Sequence, residues 1–184
     1  MLFVGARLGT GVTALWSECA RLLPDDVLVL GWDLPGHGAS RPHDEATTVA
    51  DLAAAVVTML DELTDQGEIP RGLPVHYAGV SLNGAVALQL ALDHADRHSY
   101  ARLCEALAGF DMRSRLGELT LPVLTIHGDQ DAVTPPSAGG EIATGAPEGT
   151  VRQLALPTVA HQAPLEAPQE VAEALDRMMA DTRR

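Results

Sequence analysis

An α/β fold, with a mainly parallel sheet flanked by helices, is the class that this 184-residue sequence predicts. Two observations lead there. Short apolar, β-rich runs alternate with longer segments of helical periodicity, the pattern of strand–crossover–strand units. No repeat, low-complexity tract or linker interrupts that alternation, so residues 1–184 read as a single domain, long enough to bury a substantial core.

Taken in order, residues 2–5 (LFVG) are a short first strand. Residues 12–23 carry a helical pattern stopped by Pro24, whose ring and missing N–H do not continue a helix. The run DVLVLGW at 26–32 has strand length and reads as buried, and it opens into Asp33-Leu34-Pro35-Gly36-His37-Gly38-Ala39-Ser40. Residues 48–63 are a strong helix, with Thr48 and Asp51 spaced as a capping pair. A strand at 75–80 is followed by a helix at 82–92, and the Ala, Leu, Arg and Glu content of 99–107 favours a further helix. Strands at 121–127 and 151–156 come next. The last helix, 168–179, fades into the charged tail Asp181-Thr182-Arg183-Arg184.

Composition narrows the function. Hydrophobic residues make up 46% and aromatics only 3%, so the core is built from Leu, Val and Ala. A net charge of −13 argues against nucleic acid and anionic membrane surfaces as partners. An anionic substrate would need a local cation, for which Arg7 and Arg113 are candidates against the ordinary role of a solvated surface arginine. Cys19 and Cys104 lie in helix-like segments without metal spacing or a CxxC pair, and read as buried free thiols. The opening Met-Leu-Phe-Val-Gly lacks the features of a secretory signal, and no apolar run has bilayer-spanning length. A soluble, cytoplasmic protein with no membrane partner is expected.

The chemistry concentrates in three separated fragments: Gly79-Val80-Ser81-Leu82-Asn83-Gly84, Gly128-Asp129-Gln130-Asp131 and His161, each just after a strand-like run. They supply a serine, an acid and a histidine in that order. A serine hydroxyl is a poor nucleophile until a histidine takes its proton and a carboxylate holds that histidine. A strand that turns sharply into a helix at its serine needs small neighbours. Gly79 meets that need; Asn83 stands where the second small residue is expected, followed by Gly84. The competing reading of this stretch is an ordinary small-residue turn. Asp131 is preferred to Asp129 as the acid because of its relation to the Thr134-Pro135-Pro136 turn, and Asp129 is better read as capping the following turn. His37, His43, His76, His94, His98 and His127 have no comparable context and read as structural. With no HExxH and no Cys/His cluster, no metal is expected.

DLPGHGAS at 33–40, GVSLNG at 79–84, GDQDAVTPP at 128–136 and the approach to His161 together resemble the α/β-hydrolase superfamily. More narrowly, Leu8-Gly9-Thr10 leading to Leu15-Trp16 is similar to the 3-oxoadipate enol-lactonases. So are Tyr100-Ala101 and Cys104-Glu105-Ala106-Leu107 before Phe110-Asp111 and Arg113. The resemblance covers nearly the whole chain. It implies a cofactor-free serine-type hydrolase of a lactone or ester, with β-ketoadipate enol-lactone as the family substrate. It assigns Ser81 as nucleophile, His161 as general base and acid, Asp131 as its orienter, and the backbone N–H groups of Leu8 and Leu82 as an oxyanion hole.

The same resemblance implies a truncated α/β-hydrolase fold. The chain begins at what corresponds to the family's third strand, and it passes from Ala95-Asp96-Arg97 almost directly to Tyr100, omitting the sixth strand and most of the helical lid. Two outcomes are expected. Either residues 75–80 pair directly with 121–127, displacing Asp131 by one strand spacing of about 4.8 Å, or a second copy of the chain fills the gap in a homo-oligomer. Two other functions stand beside the lead: a degenerate, non-catalytic binding or assembly module, and an α/β hydrolase acting on a thioester or a carbon–carbon bond.

Overall fold

The computed structural model describes residues 1–42, 47–93 and 111–182, whose five strands are all parallel and lie in two short sheets. In the first sheet β1 (Leu2–Gly5) lies between β2 (Val29–Trp32) and β3 (His76–Gly79), in register so that Gly5 sits beside both Trp32 and Gly79. In the second, β4 (Val123–Gly128) pairs with β5 (Val151–Leu156), Gly128 beside Leu156. Six helices accompany them: α1 (Val12–Leu22), α2 (Val49–Asp65), α3 (Leu82–Asp93), α4 (Pro136–Gly145), α5 (Ala163–Glu166) and α6 (Pro168–Thr182).

Alternation along β1 decides how the layers form, because successive side chains of a strand point to opposite faces. Leu2 and Val4 pack with Leu15, Trp16 and Cys19 of α1 and with Val171, Leu175 and Met179 of α6. Met1 and Phe3 pack on the other face with Leu52, Ala53 and Val56 of α2 and with Val86 and Leu90 of α3. A smaller cluster of Leu92, Met112, Leu116 and Leu119, with Ile142 against it, connects α3 and the 3-10 helix Arg113–Glu118 to α4.

Several elements follow the sequence pattern closely, and others do not. β5 has the expected bounds, and α2 starts at the expected capping box, with Thr48 and Asp51 exchanging side-chain and backbone hydrogen bonds. The 26–32 run is a strand only from Val29, and it is an edge strand with Gly31 exposed, not a buried one. The charged tail Asp181-Thr182 remains helical as the end of α6. Sequence periodicity did not reveal α4, whose PSAGGEIATG holds three glycines, poor helix formers; it begins where Pro136 occupies a first-turn position that needs no N–H. The helix expected at 99–107, with Cys104, His94 and His98, and likewise His43, lies outside the described residues.

Among the described residues β3 and β4 are not hydrogen-bonded to each other, so the direct pairing of 75–80 with 121–127 does not occur. A cavity of about 970 Å³ lies between the two sheets instead.

Candidate active site

β3 ends at Gly79 and α3 starts at Leu82, so the chain reverses within Val80 and Ser81. Ser81 takes φ = 59°, the left-handed region that a side chain with a Cβ occupies only under constraint. Gly79 is required here: a Cβ at that position would run into the backbone carbonyl of Asn83. Asn83 does not crowd the turn. Its side chain is fully buried beneath it, its Oδ1 accepting from the Tyr77 hydroxyl at 2.6 Å and its Nδ2 donating to the Ala6 carbonyl. Among the described residues the Ser81 hydroxyl makes no side-chain hydrogen bond.

Asp131 and His161 form a hydrogen-bonded pair just beyond the carboxyl ends of β4 and β5. His161 Nδ1 lies 2.9 Å from Asp131 Oδ2, which also accepts the Thr134 hydroxyl at 2.8 Å. Asp131 Oδ1 accepts the Val133 and Thr134 backbone N–H groups at 2.8 and 2.9 Å. The carboxylate is 8% exposed. Burial pushes its pKa up, but the bonds from His161, Thr134 and Val133 outweigh burial and hold it down at about 2. Asp131 therefore caps its own turn and holds the histidine at once. Asp129, read from sequence as the turn cap, instead accepts the Thr158 N–H at 2.8 Å and braces the loop that carries His161. Thr158 in that loop has φ = 62°.

Sequence reasoning missed the support around His161. Glu166, at the end of α5, accepts the N–H of Ala160 on Oε2 and of Gln162 on Oε1, both at 2.8 Å, clamping the backbone on either side of the histidine. The usable signal is a carboxylate five residues after the histidine, next to a helix start. Gly128 is held to glycine by the same loop, since a Cβ there would meet the Val159 carbonyl.

Ser81, Asp131 and His161 line the same cavity, whose walls continue with apolar residues such as Leu88, Ile126 and Met179. Among the described residues the backbone N–H groups of Leu8 and Leu82 have no hydrogen-bond acceptor. Gly9, with φ = 79°, turns the loop after Leu8. Of the two candidate cations, Arg113 is bound in an exposed pair with Asp111 at 2.5 Å. Arg7 has no acid partner among the described residues; its Nη1 donates to the Leu8 carbonyl and its buried Nε has no hydrogen-bond partner. His127 lines the cavity wall, and His37 Nδ1 lies 2.9 Å from the Pro35 carbonyl. No cluster of His, Cys, Asp and Glu able to hold a metal, and no helix long and apolar enough to cross a membrane, occurs among the described residues.

Parallel strands with a serine at one strand–helix turn and an acid–histidine pair beyond two later strands define a hydrolase-type α/β architecture. The chain belongs to the Alpha/beta hydrolase family, whose profile matches residues 5–115. It is 22% identical to 3-oxoadipate enol-lactonase 2 of Acinetobacter baylyi, over an alignment covering 97% of this chain and 88% of that protein. That alignment spans 245 positions, more than the chain's own length, so the relative carries residues without a counterpart here. A local match, 39% identical, joins 41% of the chain to 18% of the dihydrolipoyllysine-residue acetyltransferase component of the acetoin cleaving system of Cupriavidus necator. The chain thus spans less than a fifth of that protein's length. Among solved structures, the enol-lactonase of Burkholderia xenovorans superposes with a TM-score of 0.80 at 20% identity, covering 97% of this chain and 90% of that one.

Proposed function

We propose that this chain is a serine-type hydrolase of a lactone or ester, with Ser81 as nucleophile, His161 as base and acid, and Asp131 as the orienter of His161. The Asp131–His161 hydrogen bond carries the reading, since it leads into a cavity that Ser81 also lines. With Nδ1–H donated to Asp131, the free Nε2 of His161 is an acceptor. In the first step Nε2 takes the Ser81 hydroxyl proton as Oγ bonds to the substrate carbonyl carbon. The carbonyl electrons move onto its oxygen, which the Leu8 and Leu82 N–H groups would meet. The C–O bond to the leaving alkoxide then breaks, and His161 returns the proton to that oxygen. In a lactone the alcohol stays tethered to the acyl group. Water repeats the sequence in reverse: His161 removes its proton as the water oxygen bonds to the acyl carbon, the acyl–Ser81 bond then breaks to release the acid, and Ser81 Oγ recovers its hydrogen from His161. No cofactor is consumed.

The likeness to enol-lactonases favours a lactone or ester over a thioester or carbon–carbon bond. The cavity between the sheets favours low selectivity, with turnover of small activated esters such as p-nitrophenyl acetate. A second reading rests on a specific observation. β3 and β4 are not joined among the described residues, and the Ser81 hydroxyl has no bond to His161, as in a non-catalytic binding module.

Fluorophosphonate labelling separates the two readings. The wild-type chain should be labelled at Ser81, Ser81→Ala should not be, and Ser81→Ala and His161→Ala should each lose about 10³-fold or more in ester turnover. Turnover of purified Ser81→Ala equal to wild type sinks the serine mechanism. A panel of enol-lactone, thioester and diketone substrates then assigns the bond cleaved.

A further inference from the structure

The buried side chains of Trp32 and Asn83, with the half-buried Tyr77 between them, form a polar chain that crosses the first sheet. Trp32 Nε1 donates to the Tyr77 hydroxyl at 2.9 Å, and Tyr77 donates to Asn83 Oδ1 at 2.6 Å. Asn83 Nδ2 donates to the Ala6 carbonyl, 77 residues away in sequence. The three side chains come from β2, β3 and the first turn of α3, and the chain ends on the residue that opens the Ala6–Thr10 loop. Burying this many polar groups is unfavourable unless each is satisfied, and here each step satisfies the next. The Tyr77 hydroxyl is held protonated by burial, so it remains a donor to Asn83.

The loop itself is held by little else. Trp16 Nε1 and the Val80 N–H both hold the Gly5 carbonyl, one residue before the loop. Arg7 bonds only within the loop, to the Leu8 carbonyl. Among the described residues, Asn83 to Ala6 is the single side-chain hydrogen bond tying Ala6–Thr10 to the remainder of the chain. Asn83 is also two residues after Ser81. One side chain therefore spans the strained serine turn and the loop that carries the Leu8 N–H.

We propose that Asn83, held by Tyr77 and Trp32, is a positioning residue that sets the distance between Ser81 and the Leu8 N–H of the oxyanion hole. The proposal rests on the serine-hydrolase reading and extends it to a side chain that touches no substrate. An oxyanion donor acts only where charge develops in the transition state, and misplacement by about 1 Å costs about 10²-fold in rate. Asn83→Ala removes the tie, leaving the Ala6 carbonyl without a donor and the Tyr77 hydroxyl without its acceptor. Tyr77→Phe keeps the volume and leaves the Asn83 amide in place but unsupported.

The test compares wild type, Asn83→Ala, Tyr77→Phe and Ser81→Ala by p-nitrophenyl acetate kinetics and by inhibition with a trifluoromethyl ketone that becomes tetrahedral on Ser81. Asn83→Ala should lower kcat about 10²-fold with KM within about threefold, and weaken the ketone by a similar factor. Tyr77→Phe should show the same pattern at roughly a tenth of the effect. A residue with only a structural role would lower stability without moving kcat and ketone affinity together. If folded Asn83→Ala keeps wild-type kcat and ketone affinity, the positioning role is overturned. If Asn83→Ala does not fold, Tyr77→Phe decides by the same readouts. If Ser81→Ala is as active as wild type, the serine-hydrolase reading fails by itself.

Discussion

Asp131→Asn separates what the Asp131–His161 pair does for stability from what it does for chemistry. The side chain keeps its shape, and its amide oxygen can still accept the Val133 and Thr134 N–H groups. The amide nitrogen now faces His161 Nδ1 and the Thr134 hydroxyl, where a carboxylate oxygen stood at 2.9 and 2.8 Å. A donor there favours the tautomer with its proton on Nε2, so His161 cannot accept the Ser81 proton. Loss of the correct tautomer lowers kcat by about 10³- to 10⁴-fold, with KM little changed.

The stability effect follows from the Asp131 pKa, which folding lowers from 3.8 to about 2. Each pKa unit is about 1.4 kcal/mol, so the ionised carboxylate contributes about 2 kcal/mol. Because the folded value is the lower one, that contribution is complete above about pH 4 and is lost as pH falls toward 2. Asparagine does not titrate. Urea unfolding of Asp131→Asn should therefore fall short of wild type by about 2 kcal/mol at pH 7, a midpoint shift of about 1 M. The gap should narrow to about half by pH 3. A gap that stays constant from pH 7 to pH 3 refutes the electrostatic account, and a kcat within threefold of wild type refutes the orienting role of Asp131.

Two further outcomes are expected. Glu166→Ala frees the Ala160 and Gln162 N–H groups that bracket His161, so ester kcat should drop about tenfold with a stability loss of about 1 kcal/mol, read by steady-state kinetics and thermal unfolding. Unchanged kcat would show that the clamp is dispensable for placing His161. Cys19 is buried among Leu15, Trp16 and the α6 side chains, and burial pushes its thiol up to about 11. Iodoacetamide at pH 8 should leave Cys19 unmodified in the native chain and alkylate it in denaturing urea, as site-resolved mass spectrometry reports; comparable native and denatured rates would place Cys19 outside the core.

The sequence by itself determined the α/β class, the places of the five described strands, and the strand-end positions of Ser81, Asp131 and His161. These are legible because they are local: an apolar run of strand length, a capping pair such as Thr48–Asp51, or small residues around a turn each act through neighbours along the chain. β5 and the start of α2 are accordingly where the pattern puts them. α4 escaped because its glycines weaken the local signal, and packing against β4 and β5 overrides propensity. The preference for Asp131 over Asp129 was legible from its turn, but only the tertiary structure decided what each acid holds, because both follow β4 and the distant β5 loop brings His161 to one and Thr158 to the other. It alone decided that β3 and β4 stand apart around a cavity, since pairing depends on how two helical layers seat the strands. It also turned Asn83, in sequence a misfit where a small residue is expected, into a bond to Ala6 from 77 positions away. Such a bond forms only once the sheet has brought β1 beside β3, and no spacing along the chain encodes it.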